Sequence, residues 1–185
     1  MTPDKQILES ALLVVQWQRG NKAAFERIVK LWEPSLFYYL RRLAPSEADA
    51  AEWLQETWLK AFKSLRSLRD PQALAAFLYR TARNTAISHL RRAEFFESNG
   101  DPSVAEPHEP ADPLGELESA DQVHHALEKL PLLQREALTL FFLRELTLDQ
   151  MAVLLGVPLG TVKSRLHYAK QAMAKILSHG DGHVG

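Results

Sequence analysis

The chain has 185 residues, with 22 basic against 23 acidic side chains for a net charge of -1, and it is 46% hydrophobic and 24% charged. That is ordinary soluble composition, enough for one large domain or two small ones. No stretch approaches about 18 apolar residues and the amino end is polar, so neither a membrane span nor a signal peptide is expected, and a cytoplasmic protein is. The absence of cysteine removes disulfides, thiolate metal sites and cysteine nucleophiles together. No Walker loop, GxGxxG turn, HExxH or GxSxG motif occurs. The expectation is therefore a non-enzyme with no catalytic residue, cofactor, metal or small-molecule substrate.

Apolar residues recur at helical spacing and β-branched alternation is nearly absent, so an all-α fold of two small helical domains is expected. In the first domain helices are predicted over 5–19, 22–42, 47–67 and 71–92, with Pro34 breaking or kinking the second. The first carries Leu8, Leu12, Val15 and Trp17, a core-packing pattern that leaves room for contact with an inhibitory partner. On the third, Asp49, Glu52, Gln55 and Glu56 share an outer face opposite Ala50, Leu54, Trp58 and Ala61. This is either a solvated face or a dock for a basic protein.

The fourth gathers Arg80, Arg83, Asn84, Ile87 and Arg91 within about 100° of arc, while Leu74, Leu78, Ala82 and Thr85 turn away. Phe77 and Tyr79 border that arc. Arginines beside aromatics suit phosphates and unpaired bases, and the same aromatics suit an ordinary core equally well.

Residues 93–120 contain eight acidic and no basic side chains, with Pro102, Pro107, Pro110, Pro113, Gly100 and Gly115 among them. Such a segment cannot bury a core and reads as a flexible acidic linker. The domains are accordingly 1–92 and 121–178, with 179–185 a disordered tail. Predicted helices of the second domain cover 121–129, 132–143, 148–155 and 159–177.

Thr147 with Gln150 makes a capping box, Ala152 allows close helix crossing, Gly156 takes a left-handed turn and Pro158 suits the start of the next helix. This is the helix-turn-helix spacing. On the last helix Val162, Leu166, Ala169, Met173 and Ile176 form a buried stripe, leaving Lys163, Ser164, His167, Tyr168, Lys170, Gln171 and Lys175 outward, a face that suits the major groove better than it suits the alternative, a merely solvated side of a helical hairpin. Neither His124 with His125, adjacent and so on different faces, nor His179 with His183 in the tail makes a convincing metal pair.

Residues 63–92 hold seven basic side chains against Asp70, and 150–185 hold four against Asp181. Two basic blocks flanking an acidic one fit a nucleic-acid binder whose linker avoids that nucleic acid.

The run DAAEWLQETWLKAF from Asp49 to Phe62, FLYRTARNTAISHLRR from Phe77 to Arg92, and LTLDQMAVLLGVPLGTVKSRLHYAK from Leu146 to Lys170 together resemble a bacterial RNA polymerase sigma factor of the extracytoplasmic-function group. The resemblance covers roughly residues 7–177. It implies that 1–92 is sigma region two, binding core polymerase and opening the minus-ten element, and that 121–178 is region four, reading the minus-thirty-five element. It implies a polymerase-binding set of Asp49, Glu52, Gln55 and Glu56. It also implies a DNA-binding set of Phe77, Arg80, Arg83, Asn84, Arg91, Lys163, Ser164, Arg165, His167, Tyr168 and Lys170.

Residues 63–72 match the loop that receives an unstacked base. The expected partners are core polymerase, promoter DNA and an anti-sigma factor. Departures are Phe77 where the family usually has Trp, Glu52 for Asp, Thr81 for Ile and Tyr168 where Arg is frequent. The competing reading is a dimeric regulator with a helical sensing domain, which a palindromic operator bound without polymerase would support.

Overall fold

The computed structural model describes residues 3–92, 123, 126–143 and 145–180. The acidic linker, His124, His125 and the tail beyond 180 lie outside the described residues, as does the side chain of His179. Among the described residues there are helices and turns but no strand, and the chain divides into two compact units.

The first unit contains α1 (Pro3–Gln18), α2 (Lys22–Leu43), α3 (Glu47–Ser64) and α4 (Leu74–Arg92). Its turns follow from local chemistry. Gly20 adopts φ +97°, a left-handed value open to glycine, and the Asn21 side chain accepts from the Ala23 N–H at 3.1 Å to start α2. Ser46 caps α3 by accepting from the Asp49 N–H at 3.1 Å.

Of the break or kink expected at Pro34, the break does not occur: α2 runs continuously through it. That proline is exposed, so the backbone bond it forfeits lies on the water-facing side. The third helix also stops earlier than predicted, and the fourth starts later. Between them stand two 3-10 turns, Leu65–Ser67 and Pro71–Ala73, the second started by Asp70, which accepts from the Gln72 N–H at 2.9 Å.

The core of this unit sets a few large aromatics among leucines and alanines. Trp32 is 1% exposed and donates its indole N–H to Ser10 Oγ at 3.0 Å, fastening α2 to α1. Tyr79 of α4 is fully buried and stands edge-on to Tyr39 at 5.4 Å and Trp32 at 6.5 Å. A second cluster nearer the surface joins buried Trp17 with half-buried Phe25 and Trp58 and exposed Phe62. Each large apolar side chain removed from water stabilises by about 1.5–3 kcal/mol, so such clusters dominate the stability of a small unit. Residues 145 and 146 also belong here: the Glu145 carboxylate accepts from Ser35 Oγ at 2.8 Å and from the Tyr79 hydroxyl.

The second unit contains a helical stretch at 126–128, then α5 (Leu132–Leu143), α6 (Leu148–Leu155) and α7 (Leu159–Gly180). Arg135 closes the first turn by donating to the carbonyls of Leu130 at 3.0 Å and Glu128 at 3.1 Å. Leu127, Leu138, Met151, Val162, Ala169 and Met173 form the core.

Both halves of the capping box at α6 are present, Thr147 N–H to Gln150 at 2.9 Å and Gln150 N–H to Thr147 at 3.2 Å. Gly156 ends α6 at φ +70°, with its own N–H and that of Val157 both on the Ala152 carbonyl. The Pro158 carbonyl accepts from Val162 at 3.2 Å, so the proline stands just before α7 and helps start it.

Candidate nucleic-acid and protein-docking surfaces

Residues of α4 divide by helical phase. Leu74, Leu78, Ala82, Thr85, Ala86 and Leu90 are buried, while Arg80, Asn84 and Arg91 are exposed and Phe77, Arg83 and Ile87 are half-buried at the edges. The two bordering aromatics therefore part company. Tyr79 belongs to the core, whereas Phe77 keeps part of its ring at the surface beside the cationic arc. An exposed Arg80 and Asn84 one turn apart, with a ring at one end, offer phosphate contacts, a two-way hydrogen-bonding amide and a stacking face. The segment leading into α4 adds exposed Lys63, Arg66 and Arg69. There Ser67 Oγ donates to the Ser64 carbonyl at 2.7 Å and Leu68 N–H to the Leu65 carbonyl at 3.2 Å.

The four polar residues of the outer face of α3 have unequal freedom. Glu52 and Gln55 are exposed. Asp49 is engaged at the helix start, where Ser46 Oγ donates to its carboxylate at 2.5 Å. Glu56 meets both Lys60 Nζ and His89 Nε2 at 2.7 Å. Its hydrogen bonds, to Lys60 first and His89 second, hold its carboxyl below the ordinary carboxylate value.

Lys60 also donates to Thr85 Oγ1 at 3.0 Å, and the His89 ring stacks on Trp53 at 5.3 Å with planes 24° apart. Lys60, Thr85 and His89 thus knit α3 to α4, a link that sequence reasoning missed. The only legible part was the Glu56–Lys60 pair at helical spacing; Thr85 and His89 come from another helix.

In the second unit α7 keeps its apolar stripe: Val162, Leu166, Ala169 and Met173 are buried and Ile176 is half-buried. Lys163, Gln171 and Lys175 are exposed, with His167 half-buried among them. Two residues of the DNA-binding set that the resemblance implied are buried, and of these Ser164 had also been expected to face outward. Ser164 is only 7% exposed and turns its hydroxyl back onto the Gly160 carbonyl at 2.8 Å, the bond a short side chain makes inside a helix. Arg165 is 8% exposed, because its phase lies about 60° from the centre of the buried stripe. His167 and Tyr168 pack edge to face at 5.4 Å, and Lys170 holds its ammonium 4.4 Å from the Phe141 ring centre. The fully presented cation at the start of α7 is thus Lys163.

Among the described residues no helix is long and apolar enough to cross a membrane. Comparison with known proteins places the chain in a family. Sigma-70 region 2 matches residues 28–95 and Sigma-70 region 4 matches residues 120–173. The RNA polymerase sigma-H factor of Pseudomonas aeruginosa is 33% identical over 179 residues, covering 89% of this chain and 92% of its own. The ECF RNA polymerase sigma-E factor of Escherichia coli K12 is 32% identical over 180 residues, covering 90% and 93%.

Among solved structures, the sigma factor RpoE in complex with the anti-sigma factor NepR from Bartonella quintana is 26% identical. Its TM-score is 0.65, over 83% of this chain and 96% of that one. CnrH in complex with the cytosolic domain of CnrY shares the fold at 21% identity and a TM-score of 0.66, over 92% and 98%.

Proposed function

The chain belongs to the extracytoplasmic-function group of RNA polymerase sigma factors, and from that premise we propose how its surfaces divide the work of starting transcription. As a sigma factor it binds core polymerase and directs it to promoters. In the proposed division, Glu52 and Gln55 of α3 meet the polymerase directly, while Asp49 and Glu56 shape that face from within. Phe77, Arg80, Arg83, Asn84 and Arg91 of α4 hold the opened minus-ten strand. In the second unit Lys163, His167, Tyr168 and Lys170 face the minus-thirty-five duplex, with Ser164 and Arg165 shaping the helix that carries them.

What carries this reading is the placement of the two matched regions, in order, over the residues bearing these surfaces. No covalent step is assigned to the chain, whose contribution is binding and strand capture in the cytoplasm, where core polymerase works. Regulation by an anti-sigma factor is supported by the Bartonella relative, whose structure holds such a partner.

Unstacking duplex DNA costs a few kcal/mol per step, and the freed strand must be captured before it re-pairs. Asn84→Ala with Phe77→Ala is therefore expected to leave holoenzyme binding to the duplex promoter largely intact while reducing permanganate-reactive thymines. Initiation should recover on a pre-melted promoter. Full melting by the double variant would remove α4 from strand capture.

A further inference from the structure

The helix that precedes both matched regions touches the loop between α3 and α4. Gln18, the last residue of α1, donates its amide N–H to the Leu68 carbonyl at 2.7 Å and stands 3.5 Å from the Arg66 carbonyl. One residue earlier Trp17 is 2% exposed, packed against Phe25 at 5.1 Å and Phe62 at 5.0 Å. The Arg66 guanidinium lies over that indole at 4.7 Å. Leu65, fully buried, pins the near end of the loop, and the Asp70 cap pins the far end. Gln18 thus ties the stretch between the two turns to α1, and the Arg66–Trp17 contact ties the first turn to it. Both come from residues about 50 positions earlier in the chain.

We propose that α1 is a brace for base recognition, with Gln18 and Trp17 as positioning residues that fix the loop 65–72 in the shape that accepts an unstacked promoter base. This rests on the sigma-factor reading, in which that loop reads the minus-ten element. A site that discriminates among bases needs its hydrogen-bonding groups held in place before the base arrives, because ordering them on binding costs part of the discrimination. The loop's own bonds close each 3-10 turn separately. The donation to Leu68 restrains the segment between them from outside. Gln18 is itself exposed, so its amide is not needed to fill the core, and the Sigma-70 region 2 match begins only at residue 28.

The test uses the full chain with core polymerase on a promoter library randomised through the minus-ten element. Gln18→Met keeps the length of the side chain without a donor, and Gln18→Glu turns a carboxylate toward two carbonyls. Arg69→Ala and Gln72→Ala, substitutions within the loop, identify the base position that the loop reads. The expected result is that both Gln18 variants flatten preference at that same position by threefold or more, Gln18→Glu further than Gln18→Met. Preference elsewhere, affinity for core polymerase and the thermal midpoint should stay unchanged.

If the loop substitutions flatten one position and the Gln18 variants leave it intact, the brace is wrong while the loop's role stands. Uniform weakening at every position by the Gln18 variants would also overturn it, because that is what loss of general stability produces. If neither set changes any base preference, the loop does not read the minus-ten element and the brace falls with that reading.

Discussion

The two units present their functional faces by different means. In the second unit the means are local: a capping box three residues wide, a glycine at positive φ and an apolar stripe orient α7. In the first unit they are distant. Glu56 is held by His89, 33 positions away, Lys60 by Thr85, 25 away, and Leu68 by Gln18, 50 away. A surface oriented by its own turn stands or falls with that turn. One oriented by crosslinks between helices shifts when any neighbour does.

The sharpest way to break the comparison is to strike the distant contacts at their root. Trp32→Ala removes a buried indole and orphans Ser10, and is expected to cost about 3–5 kcal/mol. Urea unfolding followed by tryptophan fluorescence should show that loss. A change under 1 kcal/mol would mean that α1 and α2 do not depend on this contact.

In the second unit the corresponding change is Gly156→Ala. A Cβ there would meet nothing within 4 Å, so the expected cost, about 1–2 kcal/mol, comes from the left-handed backbone alone. Far-UV circular dichroism of the thermal transition measures it, and Gly156→Asn should recover part of the loss. Smaller again is Thr147→Ala, about 1 kcal/mol by removal of the cap, which the same melt resolves as earlier fraying.

The smallest effect concerns pH. The folded Glu56 carboxyl titrates below its unfolded value, so its contribution is present above the ordinary carboxylate pKa and disappears as pH falls through the lower folded value. Its side chain is 38% exposed, so water screens the pair and the contribution is modest. The stability difference between the native chain and Glu56→Gln should therefore shrink as pH is lowered through the carboxylate range toward about 3. A difference that grew over that range would show that the pairing with Lys60 and His89 does not favour the charged form.

Legibility in the sequence follows the same division. The helices of the second unit and the box at Thr147 were readable because their causes lie within a few residues. The buried stripe of α7 was readable for the same reason. Arg165 and Ser164 were not: the family resemblance put Arg165 among the DNA contacts although its phase turns it in, and phase put Ser164 outward although its hydroxyl bonds back to Gly160.

In the first unit the cationic arc on α4 could be read from spacing, but the different fates of Phe77 and Tyr79 could not. Tyr39 and Trp32, which bury Tyr79, lie on another helix. Whether Pro34 breaks its helix was unreadable for a related reason: that depends on which side of the helix faces water. The 3-10 turns that shorten α3 and delay α4 depend in part on Asp70, whose capping role is visible only once the chain is folded.

All four tryptophans, Trp17, Trp32, Trp53 and Trp58, fall in the first unit, and the second has none. Excitation at the red edge of the absorption band, where tyrosine is silent, consequently observes one half of the protein and is blind to the other. Trp17, under the guanidinium of Arg66, sits within that optical window at the loop itself. For a DNA strand docking as proposed at that loop, the molecule thus carries a built-in probe to which no tryptophan of the second unit contributes.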